Sequence, residues 1–312
     1  MNEASQKLEP LYEELVTQAA QGEVLHNDDT TMKVLDLTKE QVEGASAADE
    51  SQPRVGVFTS GVISTKGERA IALFFTGHQH AGENLADVLG KRKVELATPI
   101  QMCDALAANT AGDFTTIVAN CLAHARRGFI DVVTDFPTET QLVLETLREV
   151  YRCDADAKQR GLNDTARLEL HQAQSGPRMA ALKSWLDAQM EQRLVEPNSG
   201  LGQAIRYMRK HWEKLTRFLQ KAGAPLDNNR AERALKKAIL HRRNSLFYRT
   251  LNGARVGDIF MSLIHTAELS GEQPFEYLVA MLRNHEAAKV EPGAWMPWSF
   301  RATLAQLAAS TE

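Results

Sequence analysis

The sequence predicts an α/β protein in which short strands come first and a long helical region follows. Before Pro137, β-branched and aromatic residues form short runs separated by polar turns, as in a β-meander. Beyond Pro137, apolar residues recur every three or four positions, which is the spacing of packed helices. A further helix is predicted in the stretch PLDNNRAERALKKAILHRRN, from Pro225 to Asn244.

The predicted strands all lie in the first part of the chain. An amphipathic helix is expected at residues 4–21. Strands are expected at residues 23–28, 31–37, 54–60, 70–77 and 98–106. Helices are expected at residues 81–92 and 119–133, and residues 43–53 have the composition of a loop.

The second part is predicted to be helical. Val143, Leu147 and Val150 share one helix face, and apolar residues within 179–190 share another. Residues 201–219 alternate steps of four and three between apolar positions, as on a packed helix. Residues 257–282 are again expected to be helical, and residues 292–298 irregular.

Charge is distributed unevenly along the chain. The 40 acidic and 36 basic side chains give a net charge of −4, which by itself indicates no nucleic-acid partner. Residues 178–255, however, carry 17 Lys and Arg against 6 Asp and Glu. This excess favours a surface that faces a polyanion, with a solvated helix face as the alternative.

Other features of the composition indicate a cytoplasmic protein. No apolar run approaches the roughly 20 residues of a membrane span, and the polar start MNEASQKLEP does not resemble a signal peptide. The three cysteines form no CxxC pair. Their number and spacing argue for a reducing compartment and against a structural zinc site.

Glu232 is the one acid of the helix predicted after Pro225. With Asp227 as N-cap, a capping box would need its acid at position 230, which is Arg. Glu232 falls beside the predicted buried stripe and not on the opposite face. An i,i+4 ion pair with Lys236 is the structural alternative to a functional role.

Two further acids end predicted strands. Asp28 closes the first strand and Asp104 closes the strand at 98–106. Acids at strand ends face the crevice where open sheets bind ligands, and carboxylate oxygens suit Mg²⁺ or Mn²⁺. Two such ions, bound by these two acids and Glu232, could activate an attacking oxygen and stabilise a leaving oxygen in phosphodiester chemistry. With 40 acids in the chain, however, chance offers many such triples.

Several long motifs resemble transposases of the insertion sequence 66 family, in the family's order. LDNNRAERALKKAILHRRNSLF resembles the family pattern D-N-N-x-x-E-R-A-L-R-x-x-x-x-G-R-K-N-x-L-F. VLHNDDTTMKVL resembles the segment of its first catalytic aspartate, and PIQMCDAL that of its second. Three later segments resemble the corresponding parts of the family's sequences, namely NCLAHARRGF, SGPRMAALKSWLDAQ and SLIHTAELSGEQPFEYLVAML.

The resemblance implies a ribonuclease-H-like catalytic core with a large all-helical insertion and a C-terminal helical element. It implies a DDE site of Asp28, Asp104 and Glu232 that binds Mg²⁺ (or Mn²⁺), two ions, for cleavage at transposon ends and strand transfer into target DNA. Water and then a 3′-hydroxyl would attack. It also implies a homo-oligomer on DNA, with phosphates facing a set of basic side chains: Arg126, Arg127, Arg230, Arg233, Lys236, Lys237, Arg242 and Arg243.

The corresponding domain organisation has five parts. We expect a lead-in helix at 1–22, the first part of the core at 23–136, the helical insertion at 137–224, the glutamate helix and basic segment at 225–256, and the C-terminal element at 257–312. The resemblance covers the catalytic and C-terminal portions of the family. Upstream helix-turn-helix and zinc-binding segments of full-length relatives are not among the matched motifs.

Three departures from the family pattern leave alternatives open. The family's D-E-T is Asp28-Asp29-Thr30 here, so Asp29 competes with Asp28 for the ligand role. Its G-R-K-N begins with His241, and its S-L-I-E-T has His265 in place of the acid. A silent remnant that binds DNA or joins a full-length transposase is the alternative function, and a nuclease acting on another nucleic acid is a third.

Overall fold

A computed structural model describes residues 2–37, 56–112 and 114–309 of the chain. The chain forms two compact units. The first is built from Met1–Pro99, Ala107–Thr116 and Asn229–Glu312, and the second from Ile100–Leu106 and Ile117–Asn228. Among the described residues, no helix combines the length and the apolarity needed to cross a bilayer.

The first unit contains three strands and the helices at both ends of the chain. In chain order its elements are α1 (Asn2–Ala19), β1 (Val24–Thr31), β2 (Phe58–Lys66), β3 (Arg69–Gly77), α2 (Ala81–Leu89), α8 (Asn229–Ser245), α9 (Leu251–Leu269), α10 (Pro274–Arg283), α11 (His285–Val290) and α12 (Phe300–Ala309). Short 3₁₀ turns lie at Ala107–Asn109 and Pro292–Trp295.

The three strands form an antiparallel meander in the order β3-β2-β1. A two-residue turn joins β2 to β3 between the paired residues Lys66 and Arg69. Gly67 in that turn has a φ of 56°, a left-handed conformation that glycine adopts without a steric penalty. In the pairing of β1 with β2, Asp28 lies directly opposite Gly61.

Helix α9 covers the outer edge of β3 with polar side chains. Three side chains at four-residue spacing accept backbone N–H groups of the strand: Asp258, Ser262 and Thr266. Their partners are the N–H groups of Thr76 at 2.7 Å, Phe74 at 3.0 Å and Ala72 at 3.1 Å. Four helical residues rise about 6 Å and two strand residues about 6.6 Å, so the two repeats match. The helix thereby satisfies donors that an uncovered edge would expose.

The apolar core of the first unit lies between the strands and the terminal helices. It includes Leu11 and Leu15 of α1, Leu73 of β3 and Leu263 of α9, all fully buried. Trp295, in the 3₁₀ turn near the C-terminus, is buried in the same core. The tail is therefore part of the unit that holds the strands.

The second unit combines two short parallel strands with long helices. Its elements are β4 (Ile100–Cys103), β5 (Ile117–Asn120), α3 (Leu122–Ile130), α4 (Pro137–Gln159), α5 (Asp164–Glu191), α6 (Gly200–Lys210) and α7 (Trp212–Leu215), followed by a 3₁₀ turn at Arg217–Leu219. Helices α4 and α5 pack against each other. A buried ion pair joins them, in which Nη2 of Arg167 lies 2.6 Å from Oδ1 of Asp154.

The α/β composition and most predicted elements are confirmed, with four corrections. The strand predicted at 98–106 is shorter, since β4 runs only from Ile100 to Cys103. The strand predicted at 31–37 is wrong, because β1 continues to Thr31 and Val34 makes only an isolated bridge with Tyr248. The strand predicted at 54–60 is displaced, since β2 runs from Phe58 to Lys66. The helix predicted at 119–133 is shorter, because residues 119 and 120 belong to β5. The loop predicted at 43–53 lies outside the described residues.

Candidate functional site

Asp28 lies within β1 in the first unit and does not close the strand as the sequence predicted, because β1 continues through three further residues to Thr31. The residues before it on the strand, Leu25 to Asn27, are buried, whereas Asp28 is half-buried. One carboxylate oxygen, Oδ1, accepts the backbone N–H of Asp29 at 2.9 Å. The side chain therefore combines a fixed position on a central strand with access from solvent.

Asp29, the competing acid, is engaged at the start of α2. Its Oδ2 lies 2.8 Å from Nδ1 of His80 and 3.4 Å from the backbone N of Ala81. The ring of His80 also packs on Phe58, with 4.2 Å between ring centroids. His80 is the N-cap residue of α2, so these contacts give Asp29 a structural role at the start of that helix.

Glu232 lies on α8, which packs against β1 and β2. The buried stripe of this helix consists of Ala231, Ala234, Leu235 and Ala238, as the 3.6-residue period predicts. Glu232 itself is half-buried at the border of that stripe. The helix begins at Asn229, so Asp227 precedes it by two residues and is not at the cap position predicted from the sequence.

Close packing links α8 to the strand position of Asp28. A Cβ placed on Gly61 would lie 3.1 Å from Cδ2 of Leu235, so a larger residue there would require that leucine to shift by a few tenths of an ångström. Gly61 is the residue opposite Asp28, and Leu235 follows Glu232 by one helical turn. The first unit therefore brings the helix of Glu232 against the strand pair that carries Asp28.

Asp104 directly follows β4 in the second unit, where the sequence predicts a strand end. Its Oδ1 accepts the N–H of Leu106 at 3.0 Å, and its carbonyl accepts Nδ2 of Asn120 at 3.0 Å. Because β4 and β5 are parallel and Cys103 pairs with Asn120, both strands end at the same edge. The amide of Asn120 therefore fixes the backbone at Asp104.

Tyr207 of α6 is a neighbour of Asp104 that sequence reasoning missed. Burial, together with the Asp104 carboxylate, raises the pKa of Tyr207 to about 12. The hydroxyl therefore stays protonated at neutral pH and can donate a hydrogen bond. Its position in the helical region, far along the chain from Asp104, gave no sequence signal for this contact.

The segment before α8 is tied to the N-terminus of α3 within the second unit. The N–H of Leu122 donates to the carbonyl of Leu226 at 2.9 Å, and the N–H of Asn228 donates to Sγ of Cys121 at 3.2 Å. Burial raises the pKa of the Cys121 thiol to about 11, so it is a neutral, structural group. Leu226 and Asn228 are thereby fixed to the N-terminus of the helix that bears Arg126.

The eight basic residues predicted to face DNA fall into two groups. Six are exposed and form no ion pair with another described residue. These six are Arg126, Arg127, Arg230, Arg233, Lys236 and Arg243. Two bond within the first unit. Lys237 pairs with Glu268, and Arg242 bonds the hydroxyl and the carbonyl oxygen of Thr31. We define the basic stripe as the exposed Lys and Arg residues of α8, namely Arg230, Arg233, Lys236 and Arg243.

Known proteins resemble this chain along most of its length. A family model described as "Transposase IS66 family" matches residues 1–256. The uncharacterized protein y4jD of Sinorhizobium fredii is 28% identical over 313 residues, which cover 95% of this chain and 57% of y4jD. The uncharacterized protein y4qI of the same organism is 30% identical over 202 residues, covering 62% of this chain and 36% of y4qI.

The chain thus spans just over half the length of y4jD. No solved structure matches it.

Proposed function

Because the chain belongs to the IS66 family of transposases, we propose that it carries the catalytic site of a DDE transposase. Such a site cuts DNA at transposon ends and joins the ends to target DNA. The observation that carries this proposal is the packing of the Glu232 helix, through Leu235, on Gly61 opposite Asp28. Two acids far apart in the sequence thereby belong to one packed region of the first unit.

We propose Asp28, Asp104 and Glu232 as the ligands of Mg²⁺ or Mn²⁺. Three carboxylates form the hard-oxygen donor set that these ions prefer, and each of the three side chains is half-buried, so solvent and substrate can reach it. When bound, two such ions activate an attacking oxygen and stabilise a leaving oxygen of a phosphodiester. Asn120 holds the backbone at Asp104, and the neutral hydroxyl of Tyr207 beside it can donate to a phosphate oxygen.

The strands and helices agree with the ribonuclease-H-like core that we propose for this site. The first unit supplies an antiparallel meander and the second a parallel pair, with long helices between Asp104 and Glu232 in the chain. The family resemblance, and not a structural neighbour, is the ground for this fold assignment.

DNA would lie along the basic stripe of α8, whose four cations are all exposed. Each contact to a phosphate releases a counterion, so binding should weaken steeply with salt. Lys237 and Arg242, which bond within the unit, would position the helix, and Arg242 would do so next to β1. We further propose that copies of the chain assemble as a homo-oligomer on DNA.

Nicking of supercoiled plasmid in Mg²⁺ or Mn²⁺ tests this proposal. Asp28→Asn, Asp104→Asn and Glu232→Gln should each reduce nicking to background while leaving the melting temperature within a few degrees of the wild type. Asp29→Asn is the matched control and should keep nicking, because Asp29 serves the start of α2. Full nicking by Glu232→Gln would refute the site. Binding of DNA without nicking by the wild type would favour the silent remnant.

A further inference from the structure

Two large apolar side chains are exposed immediately after α8. Leu246 is 66% exposed and Phe247 is 40% exposed. Leu246 has a φ of 65°, the left-handed conformation in which helices usually end on glycine. A leucine in this position strains the backbone and is not compensated by burial of its side chain. Contact with a binding partner would explain why a leucine is present here.

Both flanks of this pair are fixed. On the helix side, the N–H of Leu246 donates to the carbonyl of Arg242 at 2.8 Å. On the other side, the N–H of Tyr248 donates to the carbonyl of Lys33 at 2.9 Å, and its carbonyl accepts the N–H of Leu35 at 3.0 Å. The ring of Tyr248 is buried. Leu246 and Phe247 are therefore held out on an anchored turn, and we name them the apolar tip.

The surroundings of the apolar tip are strongly basic. Residues 233–257 contain seven Lys and Arg and no Asp or Glu, and two of the seven, Lys237 and Arg255, are paired with acids from other segments. Arg243 and Arg249, on either side of the tip, are both exposed. A partner that covers this surface must offer negative charge beside flat apolar groups. DNA does so, because its bases lie next to its phosphates.

We propose that the apolar tip inserts into DNA bound along the basic stripe and stacks on bases that are unpaired or easily unpaired. This inference rests on the proposed function, which places DNA on α8. Phe247 supplies a stacking ring, and Leu246 acts as a wedge that keeps the opened base step apart. The specificity that follows is for distorted DNA, such as a junction or a frayed end, over a continuous duplex.

Binding of the full chain to two labelled duplexes tests the proposal, one fully paired and one with a few central unpaired bases. The wild type should prefer the second by about tenfold, the scale of one base–aromatic stack. Leu246→Gly and Phe247→Ala should each lose most of this preference. Leu246→Gly also relieves the left-handed strain, so its stability should not fall and unfolding cannot explain the loss.

Phe275→Ala is the matched control, since Phe275 is 71% exposed on α10, between Glu272 and Glu276. It should keep the preference. In the wild type, 2-aminopurine placed at the unpaired position should change fluorescence on binding, and Phe247→Ala should reduce that change.

Three results would overturn the inference: no preference in the wild type, an unchanged preference in both tip variants, or tip-dependent binding to vesicles of anionic lipid instead of DNA. Failure of the proposed function is a separate result. In that case Arg233→Ala and Lys236→Ala would leave binding of both duplexes unchanged.

Discussion

The polar edge of α9 should make a measurable contribution to stability. Ser262→Ala removes the acceptor of the Phe74 N–H, and Thr266→Val removes the acceptor of the Ala72 N–H. Both hydroxyls are completely buried. Neither substitution changes the apolar packing much, so the loss of the hydrogen bond should dominate.

The size of the effect follows from the donor that each substitution leaves behind. A buried N–H without a partner costs about 1–3 kcal/mol, more than the net worth of the bond it replaces. Both variants together should therefore lower the free energy of unfolding by roughly 2–5 kcal/mol, with some coupling because the sites share one edge. That is a large part of the about 5–15 kcal/mol typical of a domain.

Urea unfolding and amide hydrogen exchange measure this effect. Exchange at Phe74 should accelerate in Ser262→Ala, and exchange at Ala72 in Thr266→Val. Ser270→Ala is the control, because its hydroxyl, at the C-cap of α9, donates to the carbonyl of Thr266 in the last turn of that helix and not to β3. If Ser262→Ala unfolds at the wild-type urea concentration and leaves exchange at Phe74 unchanged, the hydrogen bond does not stabilise this edge.

Two further predictions concern buried acids. Burial raises the pKa of Asp258 to about 7, whereas its pKa in the unfolded chain is about 4. Between these two values the folded state binds a proton that the unfolded state has lost. The free energy of unfolding should therefore fall as the pH rises from about 4 to about 7, by at most ~4 kcal/mol. Asp258→Asn should flatten this part of a pH–stability curve, and an unchanged slope would contradict the assignment. Burial opposes ionisation of Asp154, but hydrogen bonds from His171 and Lys158 and the charge of Arg167 hold its pKa well below the usual range, so its stabilisation is present above about pH 4 and lost in acid. Asp154→Asn leaves the largely buried guanidinium of Arg167 without its charge partner, so the free energy of unfolding measured by calorimetry at pH 7 should fall by about 3–5 kcal/mol. A loss below about 1 kcal/mol would show that the ion pair is dispensable.

Periodicity predicted the local features of the candidate site. The stripe of Ala231, Ala234, Leu235 and Ala238 is buried as the helical period requires, and this places Glu232 at its border. Asp104 directly follows β4, as the run of apolar residues before it predicted, whereas Asp28 lies within β1 because the strand continues to Thr31. Such patterns depend only on neighbouring residues, which is why a single sequence reveals them.

Side-chain contacts between segments that are far apart in the chain could not be predicted from these local patterns. The bond of Asp29 to His80, which separates its role from that of Asp28, joins β1 to the start of α2. The S-L-I-H-T stretch gave no hint that Ser262 and Thr266 face β3, because hydroxyls in a helix usually bond their own backbone. The strand at 31–37 failed for a related reason, since Val34 and Leu37 pack in a small cluster with Tyr248 and not in the meander.

The most direct test of the proposed site is an anomalous difference map from crystals of this chain with DNA and Mn²⁺. We expect one or two Mn²⁺ peaks coordinated by Asp28, Asp104 and Glu232, and their loss in Glu232→Gln. Mn²⁺ bound by Asp29 in place of Asp28, or no peak at these carboxylates in a crystal that holds DNA, would contradict the proposed site.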